Sequence, residues 1–306
     1  DIDADAGRVR SGAVEADVPM WARVHLTHAV VQDLADRVGA RVLHVKGPAV
    51  SADLRRGPRY SQDVDVLVDP AAVPALVDEL GRHGWSLYST FEEGSAFEHA
   101  ANYQHRYWSL VDVHRHWPGL TVPPGEAFEE LWARHTVQQL AHAPCPVPDL
   151  PGQLLMLVLH HARSHEVTGP PPAWELADAQ VRADAASLAD RLGAGVAFAA
   201  GLGTMTGLGT MTGLEHDPQF ALWRYWSRPE QTRLEEWQAR YRAAGTRAER
   251  VRLLGRMMLV NRLHLALRLG HEPTTGEVAR EFVVRIGRGA AGAVTVVGAR
   301  LGRRRG

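Results

Sequence analysis

The stretch Arg59-Tyr-Ser-Gln-Asp-Val-Asp-Val-Leu-Val68 decides the fold of this chain. Its alternation of acidic and apolar residues, followed by an apolar run, predicts a β-strand that enters a hydrophobic core. Side chains two apart on a strand point to the same face, so Asp63 and Asp65 are predicted to lie together at the strand's start. Two carboxylates at that distance repel each other unless a cation lies between them. The stretch therefore predicts a strand that carries a cation site.

Since an isolated Asp-X-Asp pair is more often a solvated or capping feature, this prediction needs a third carboxylate from elsewhere in the chain. Asp112 lies within Leu110-Val-Asp-Val-His114, which also has the pattern of a strand. A charged residue in such a run has to be paired, solvated or bound to a metal. Mg²⁺ (or Mn²⁺) takes oxygen ligands and often bridges carboxylates to substrate phosphates. We therefore predict that Asp63, Asp65 and Asp112 are metal ligands, and that Asp112 also accepts the proton of an attacking hydroxyl.

A single lysine follows the first predicted strand. Of the 34 lysine and arginine residues, only Lys46 is a lysine, and a compact ammonium is not interchangeable with a guanidinium. Arg41 to Val45 is the predicted strand, Lys46-Gly47 breaks it, and Pro48 to Arg55 is predicted to be a short helix. We predict that a compact ammonium is needed at this position; retention of this lysine by chance is the alternative.

These segments together resemble the bacterial family of uncharacterised nucleotidyltransferases, within the DNA polymerase β-like superfamily. The resemblance rests on His44-Val-Lys-Gly47, Arg59 to Val68, and Val111-Asp-Val-His-Arg-His-Trp117. Leu159-His-His-Ala-Arg-Ser-His165 and Trp174-Glu-Leu-Ala-Asp178 extend it into the second half of the chain. The resemblance implies a Mg²⁺-dependent enzyme that transfers an NMP group from an NTP to a hydroxyl of a small molecule, a peptide or a protein.

The resemblance also implies roles for individual residues. It gives the three aspartates the roles proposed above. Lys46-Gly47 stands where better-known members of the superfamily carry Gly-Ser, so backbone amides at the start of the next helix would meet the nucleotide phosphates, and Lys46 would neutralise phosphate charge. Arg59 and Ser61 are implied either as phosphate contacts or as groups that orient the carboxylates.

Two histidines close to Asp112 leave another kind of metal site open. His114 would face the same side of its strand as Asp112, and His114 and His116 could hold zinc together with that carboxylate. No cysteine or second histidine pair stands at a spacing that would support such a zinc site. Alternatively, His114 lines the cleft of the enzyme.

The second half of the chain contributes further candidates for the cleft. His161 and His165 have the i, i+4 spacing of paired ligands on a helix. Alternatively, these histidines line the cleft or pair with Asp178. Trp174 and Asp178 have the same spacing, so they are predicted to share one helix face, which either closes over the active site or packs in the core.

The order of predicted elements indicates an α+β protein. A nucleotidyltransferase core with a short mixed sheet is predicted first, and an α-helical domain follows it beyond a proline-rich boundary at residues 143–152. Its predicted helices include residues 173–192 and 247–269. The predicted units are a disordered acidic lead (residues 1–18), the core (19–145), the helical domain (150–270) and a basic tail (271–306).

Composition narrows the classes of function. The net charge of −1 provides no general attraction to nucleic acid, and no apolar run is long enough to span a membrane. The single cysteine, Cys145, excludes an internal disulfide and favours a cytoplasmic location. We therefore predict an NTP donor and a small-molecule or peptide acceptor, without nucleic acid. Phosphotransfer at the same metal site and non-catalytic nucleotide binding are the rival functions.

Overall fold

The computed structural model describes residues 18–57, 61–94, 97–164, 167–204, 214–227 and 232–284. Its strands are β1 (Val42–Val45), β2 (Asp63–Val68), β3 (Ser86–Ser89), β4 (Ala100–Gln104), β5 (Leu110–His114), β6 (Thr136–Leu140) and β7 (Ala143–Val147). Its helices are α1 (Met20–Arg37), α2 (Val73–Arg82), α3 (Phe91–Gly94), α4 (Pro124–Trp132), α5 (Leu150–His161), α6 (Pro172–Leu176), α7 (Ala179–Arg191), α8 (Gly195–Gly201), α9 (Phe220–Trp226), α10 (Arg233–Ala243), α11 (Arg247–Met258) and α12 (Arg262–Leu269).

Several predictions fall wholly or partly outside the described residues. Among them are the acidic lead, Arg59, His165 and most of a tandem repeat, Gly201 to Thr212, in which six residues occur twice. The arginines from Arg285 to Arg305 in the predicted basic tail also lie outside, whereas residues 275–284, within that tail, are helical. Among the helices that the structure describes, none is both long enough and apolar enough to cross a membrane.

The main sheet is short and mixed, which confirms the predicted α+β fold class. Its strand order is β1-β2-β5-β4-β3. The central pair, β2 and β5, is parallel, and the other neighbours are antiparallel. Because β2 and β5 are far apart in sequence, this pairing brings the two predicted acidic strands side by side.

Both faces of the sheet are covered, so β2 alternates between two hydrophobic cores. Val64, Val66 and Val68 point to the face that α1 and α2 cover. Leu67 points to the other face, where α5 and α7 pack on it. Asp65 has the same orientation as Leu67, because side chains two apart share a face. The carboxylate is therefore held between the sheet and the helical half of the chain.

The helix predicted for Pro48 to Arg55 is wrong. Two three-residue 3₁₀ turns, Gly47–Ala49 and Ala52–Leu54, stand there instead, with Val50 extended between them. The backbone amide of Ser51 donates to the side-chain oxygen of Gln153 on α5, at 2.7 Å. In a continuous helix this amide would donate to a backbone carbonyl oxygen of the preceding turn. The tertiary hydrogen bond to α5 therefore overrides the helical propensity of the segment.

The proline-rich boundary segment contains a strand that the sequence analysis missed. Strands β6 and β7 form a separate two-stranded hairpin, and Pro144 and Pro146 both lie within β7. Proline is tolerated there because a two-stranded ribbon has an unpaired edge.

Two predicted long helices are each divided in the structure. Residues 173–192 break at Ala177, which is extended, and residues 247–269 break at Leu259, which is also extended. The division of the chain into a core and a helical domain remains a prediction. One hydrophobic cluster joins the two parts, since Leu43, Val45 and Leu67 of the sheet belong to the same cluster as the apolar residues of α5 and α7.

Candidate active site

The sheet register places two predicted carboxylates directly opposite each other. Asp65 on β2 pairs with Asp112 on β5, and Asp63 pairs with Leu110. Register partners on neighbouring strands point to the same face. The three aspartates therefore share the face that the helical half covers. The alternation in the sequence accounts for the position of Asp63 and Asp65, and the parallel pairing of β2 with β5 adds Asp112.

Asp65 is a buried carboxylate that two donors hold. Its side chain is 3% exposed; Lys46 Nζ forms an ion pair with Oδ1, and His114 Nε2 lies 2.8 Å from the same oxygen. Burial acts to raise the pKa of Asp65, but the positive charge of Lys46 and the hydrogen bond from His114 outweigh burial and hold that pKa well below its usual range. Asp65 is therefore ionised at neutral pH.

Asp112 carries the opposite shift. Burial and the negative charge of Asp65 raise the pKa of Asp112 to about 7, against the lowering effect of the hydrogen bond from Asn102. Asn102 Nδ2 donates to Asp112 Oδ1, and Ser89 Oγ donates to the side-chain oxygen of Asn102. Because the negative charge of Asp65 is one cause of the raised pKa, a bound cation would act against the shift.

Asp63 is held at the entrance of β2. Ser61 Oγ donates to Asp63 Oδ1 at 2.5 Å, and it lies 3.0 Å from the backbone carbonyl oxygen of Asp63. Of the two implied roles for Ser61, the geometry matches the orientation of a carboxylate.

The ligand atoms that converge in the structure are those of Asp65, Asp112 and His114, which all lie within 4.8 Å of one another. His114 takes the place in this group that the sequence analysis gave to Asp63. Two carboxylates and an imidazole fit a divalent cation, and the nitrogen donor makes Mn²⁺ as suitable as Mg²⁺. His116 does not join them, because its Nε2 faces the carbonyl oxygen of Phe97 at 3.2 Å.

The Lys46-Gly47 turn lies against the same site. Lys46 has φ 60° and Gly47 has φ 49°, and a Cβ on Gly47 would lie 3.1 Å from Ser61 Cβ. A positive φ at a non-glycine residue is strained, and such residues often occur at functional sites. The helix expected after Lys46-Gly47 is replaced by the three-residue turn Gly47–Ala49, which is too short to have the dipole of a helix. Phosphate contact by Lys46 and Gly47 stays a prediction.

Arg163 is a cation of the site region that the sequence analysis missed. Its guanidinium lies 5.9 Å from the ring centroids of both Phe97 and Trp117. Nη1 lies 2.9 Å from His99 Nε2 and Nη2 lies 2.9 Å from His160 Nδ1. Because arginine only donates, both imidazoles accept and are neutral. The spacing of His160 and Arg163 on one helix face was the available signal.

Burial lowers the pKa of Arg163 to about 10, and the negative charge of Asp65 acts against that shift. Arg163 therefore keeps its charge at neutral pH. Among the described residues, its hydrogen bonds go to imidazoles and no carboxylate forms an ion pair with it.

The candidates from the second half have other partners. His161 Nε2 donates to the carbonyl oxygen of Gly169 at 3.1 Å. Asp178 caps α7, where its Oδ1 accepts the amide of Val181 at 2.7 Å. The break at Ala177 puts Trp174 and Asp178 on different helices, so the predicted common face is wrong. A cleft role for these residues stays a prediction.

A family model described as "Uncharacterised nucleotidyltransferase" matches residues 26–180, slightly more than half of the chain. That span contains all five strands of the main sheet and every residue of the carboxylate site. No curated protein matches the chain.

Several solved structures are weakly similar. The lincosamide antibiotic adenylyltransferase LnuA with lincomycin bound is 14% identical, with 54% of this chain and 94% of that chain covered and a TM-score of 0.33. ANT(2'')-Ia with adenylyl-2''-tobramycin is 16% identical, with 55% and 98% covered and a TM-score of 0.39. An antigenic nucleotidyltransferase-like protein from Paracoccidioides brasiliensis is 13% identical, with 55% and 88% covered and a TM-score of 0.34. Similarities this low give no information about what this chain binds.

Proposed function

This chain belongs to the uncharacterised nucleotidyltransferase family, and on that premise we propose that it transfers an NMP group from an NTP to a hydroxyl of a small molecule, with Mg²⁺ or Mn²⁺ as cofactor. The observation that carries the proposal is the direct opposition of Asp65 and Asp112 on adjacent parallel strands. The charge of Asp65 contributes to the raised pKa of Asp112, so the positive charge of a bound cation would offset the repulsion between the two carboxylates. A phosphate-bearing donor that arrives with a divalent cation supplies that charge.

The proposed reaction is a single in-line displacement. The acceptor hydroxyl oxygen attacks the α-phosphorus of the NTP, and a new oxygen–phosphorus bond forms. The bond between the α-phosphorus and the oxygen that bridges to the β-phosphorus breaks, and pyrophosphate leaves with that electron pair. The hydroxyl proton passes to Asp112, which lies beside the metal-binding carboxylate.

Each residue of the site has a role in this proposal. Asp65 and Asp112 hold the cation, with His114 or Asp63 as the further ligand. A bound divalent cation would supply electrostatic stabilisation of the phosphates and of the charge that develops on them. Asn102 fixes the orientation of Asp112, and Lys46 shifts between Asp65 and the nucleotide phosphates as the charges change.

Most of the rate enhancement in this scheme comes from positioning and electrostatics. The donors and acceptors are already fixed by β-strands and by neighbouring hydrogen bonds, so little reorganisation is needed when the substrates bind. The cytoplasm is the proposed location, since NTPs are abundant there and Cys145 is a free thiol. A peptide or protein acceptor is the alternative to a small molecule, and nucleic acid is not a proposed partner.

The first experiment is a thermal-shift screen of ATP, CTP, GTP and UTP, each with Mg²⁺ or Mn²⁺. Asp65→Asn removes a ligand and should abolish the stabilisation by NTP and metal. Asp78→Asn is a matched control, because Asp78 is exposed on α2, on the sheet face opposite the site. If Asp65→Asn responded to NTP and metal as the wild type does, the proposed site would be wrong. The product mass separates the rivals, since phosphotransfer would add a phosphate instead of an NMP group.

A further inference from the structure

A cavity lies between the segment that precedes β4 and the helices α9, α10 and α11. Its volume is about 380 Å³, which falls within the size range of small-molecule sites. Phe97, Glu98 and His116 form the wall on the side of the sheet, and Trp226, Arg240 and Arg256 are among the residues of the helical wall.

One side of the cavity is aromatic and apolar. Phe97 stacks on Trp223 at 5.3 Å between ring centroids, and it contacts Trp226 at 5.4 Å. Phe97 and Trp226 line the cavity together with Leu222 and Leu253. Such a wall favours a flat apolar group, because aromatic rings contribute a large contact area in fixed geometry.

The other side of the cavity is cationic. Arg240, Arg252 and Arg256 line it, against the carboxylates of Glu98 and Glu249. Glu98 already pairs with Arg256, with Arg240 at 3.7 Å and with Arg115 at 3.9 Å.

The second carboxylate of the cavity is engaged as well. Glu249 Oε2 accepts the backbone amide of Thr246 at 3.0 Å, as part of the cap of α11. Arg252 is exposed and is not among the arginines that contact Glu98. Among the ion pairs of the described residues, Arg256 pairs with Glu98, Arg240 pairs with Glu98 and with Glu236 (3.6 Å), and Arg252 takes part in none. Arg252 therefore offers a guanidinium group to an anionic ligand, which such a group binds in a bidentate way.

A series of imidazole rings joins this cavity to the carboxylate site. His116 lines the cavity, and its ring centroid is 6.3 Å from that of His99. His99 is 5.0 Å from His114, and His114 Nε2 is 2.8 Å from Asp65 Oδ1. These ring contacts connect the cavity to the edge of the sheet where β5 ends and β4 begins, and the buried rings of His99 and His114 lie between the cavity and Asp65.

We propose that this cavity binds the acceptor, and that the acceptor combines an aromatic or other flat apolar body with a carboxylate or phosphate group. The proposal rests on the proposed nucleotidyl transfer. In this arrangement the apolar body of the acceptor lies against Phe97 and Trp226, and its anionic group pairs with Arg252. The acceptor hydroxyl extends past His116 towards Asp112.

Three probes of similar shape but different charge test which ligands the cavity prefers. The probes are 4-hydroxyphenylacetate, which is anionic, tyrosol, which is neutral, and tyramine, which is cationic. Their dissociation constants are measured by ligand-observed NMR titration of the full chain without nucleotide. We expect the anion to bind about tenfold more tightly than tyrosol, because a charge-assisted hydrogen bond strengthens its binding, and tyramine to bind most weakly.

Two matched charge reversals locate the binding. Arg252→Glu should remove the preference for the anion. Arg224→Glu should leave that preference intact, because Arg224 is exposed on α9 but does not line the cavity. Circular dichroism of both variants controls for folding. Absence of binding by all three probes, equal binding of the three, or anion binding that Arg252→Glu leaves unchanged would overturn the proposal.

Two further binding measurements distinguish failure of this proposal from failure of the proposed function. Binding of 4-hydroxyphenylacetate should survive Asp65→Asn, and NTP with Mg²⁺ should not displace the probe, because the nucleotide occupies a different site. Displacement of the probe by NTP would overturn the acceptor assignment. If the anion preference holds while no NTP stabilises the protein, nucleotidyl transfer fails and the anionic cavity remains.

Discussion

Asp65 and Asp112 are register partners on the parallel strands β2 and β5, and the charge of Asp65 contributes to the raised pKa of Asp112. The two carboxylates respond in opposite ways to one environment. Lys46 and His114 donate to Asp65 and keep it ionised, whereas Asp112 has the neutral amide of Asn102. This asymmetry gives one site a permanent anion and a carboxylate whose charge depends on its surroundings.

The first prediction concerns the pH dependence of stability without metal. The pKa of Asp112 is raised to about 7 in the folded protein and is about 4 in the unfolded chain. The protonated form therefore contributes stability that is fully present below about pH 4 and is lost as the pH rises through about 7. Asp112→Asn imitates the neutral form, so it should be more stable than wild type above pH 7 by up to about 4 kcal/mol, since the pKa differs by about three between the folded and unfolded states and each pKa unit corresponds to about 1.4 kcal/mol.

Urea unfolding in the presence of EDTA, across that pH range, measures this difference in the free energy of unfolding. The difference should approach zero near pH 4, and saturating Mg²⁺ should reduce it at pH 8 by neutralising the wild-type carboxylates. An Asp112→Asn variant that is less stable than wild type at pH 8 without metal would contradict the electrostatic account.

The second prediction concerns Lys46. Lys46→Met leaves the buried charge of Asp65 without its ion-pair partner, and loss of one member of a buried pair costs about 3–5 kcal/mol. Urea unfolding should show a loss towards the lower end, because Lys46 is 19% exposed. Adding Asp65→Asn to Lys46→Met should recover most of the loss. Equal destabilisation by the single and the double variant would mean that the ion pair is not the cause.

The third prediction concerns the strained turn. Gly47→Ala places a Cβ in the positive-φ region and 3.1 Å from Ser61 Cβ, so it should destabilise the fold by more than about 1 kcal/mol. Gly81→Ala makes the same chemical change within α2, where the new Cβ meets no atom within 4 Å. It should stabilise the protein by about 0.5–1 kcal/mol. Thermal unfolding of the two variants should therefore shift in opposite directions, and a shift in the same direction would argue against the turn geometry.

The fourth prediction distinguishes two roles of His114. As a metal ligand, its nitrogen favours Mn²⁺ over Mg²⁺, so His114→Phe should weaken Mn²⁺ binding more than Mg²⁺ binding. As a donor that only positions Asp65, its loss should weaken both ions alike, by about 10- to 100-fold. Calorimetric titration of both ions measures the two affinities. The convergence of Asp65, Asp112 and His114 leads us to expect the larger effect on Mn²⁺.

The parts of the site that depend on local pattern could be predicted from the sequence. The alternation in β2 placed Asp63 and Asp65 on one face, and the apolar neighbours of Asp112 indicated a strand. The opposition of Asp65 and Asp112 depends on the pairing of β2 with β5, which no local pattern encodes. The donors from Asn102 and His114 were missed for the same reason, because strand register and side-chain direction join residues that are far apart in sequence.

The wrong predictions have a similar physical origin. The segment from Pro48 to Arg55 has residues that permit a helix, but Gln153 of α5 takes the amide of Ser51. Asp178 was interpreted as part of one long helix, whereas its side chain caps a new one. In both cases a side-chain hydrogen bond replaced a backbone hydrogen bond of the expected helix.

The central claim is that the Asp65 and Asp112 site transfers an NMP group. The most direct measurement follows radioactive phosphorus from NTPs labelled at either the α or the γ position, with Mg²⁺ and a pool of hydroxyl-bearing metabolites. We predict that label enters an acceptor only from the α position, that pyrophosphate is released, and that Asp65→Asn abolishes the transfer while Asp78→Asn does not. Transfer of the γ label to an acceptor, or α-label transfer that survives Asp65→Asn, would contradict the account.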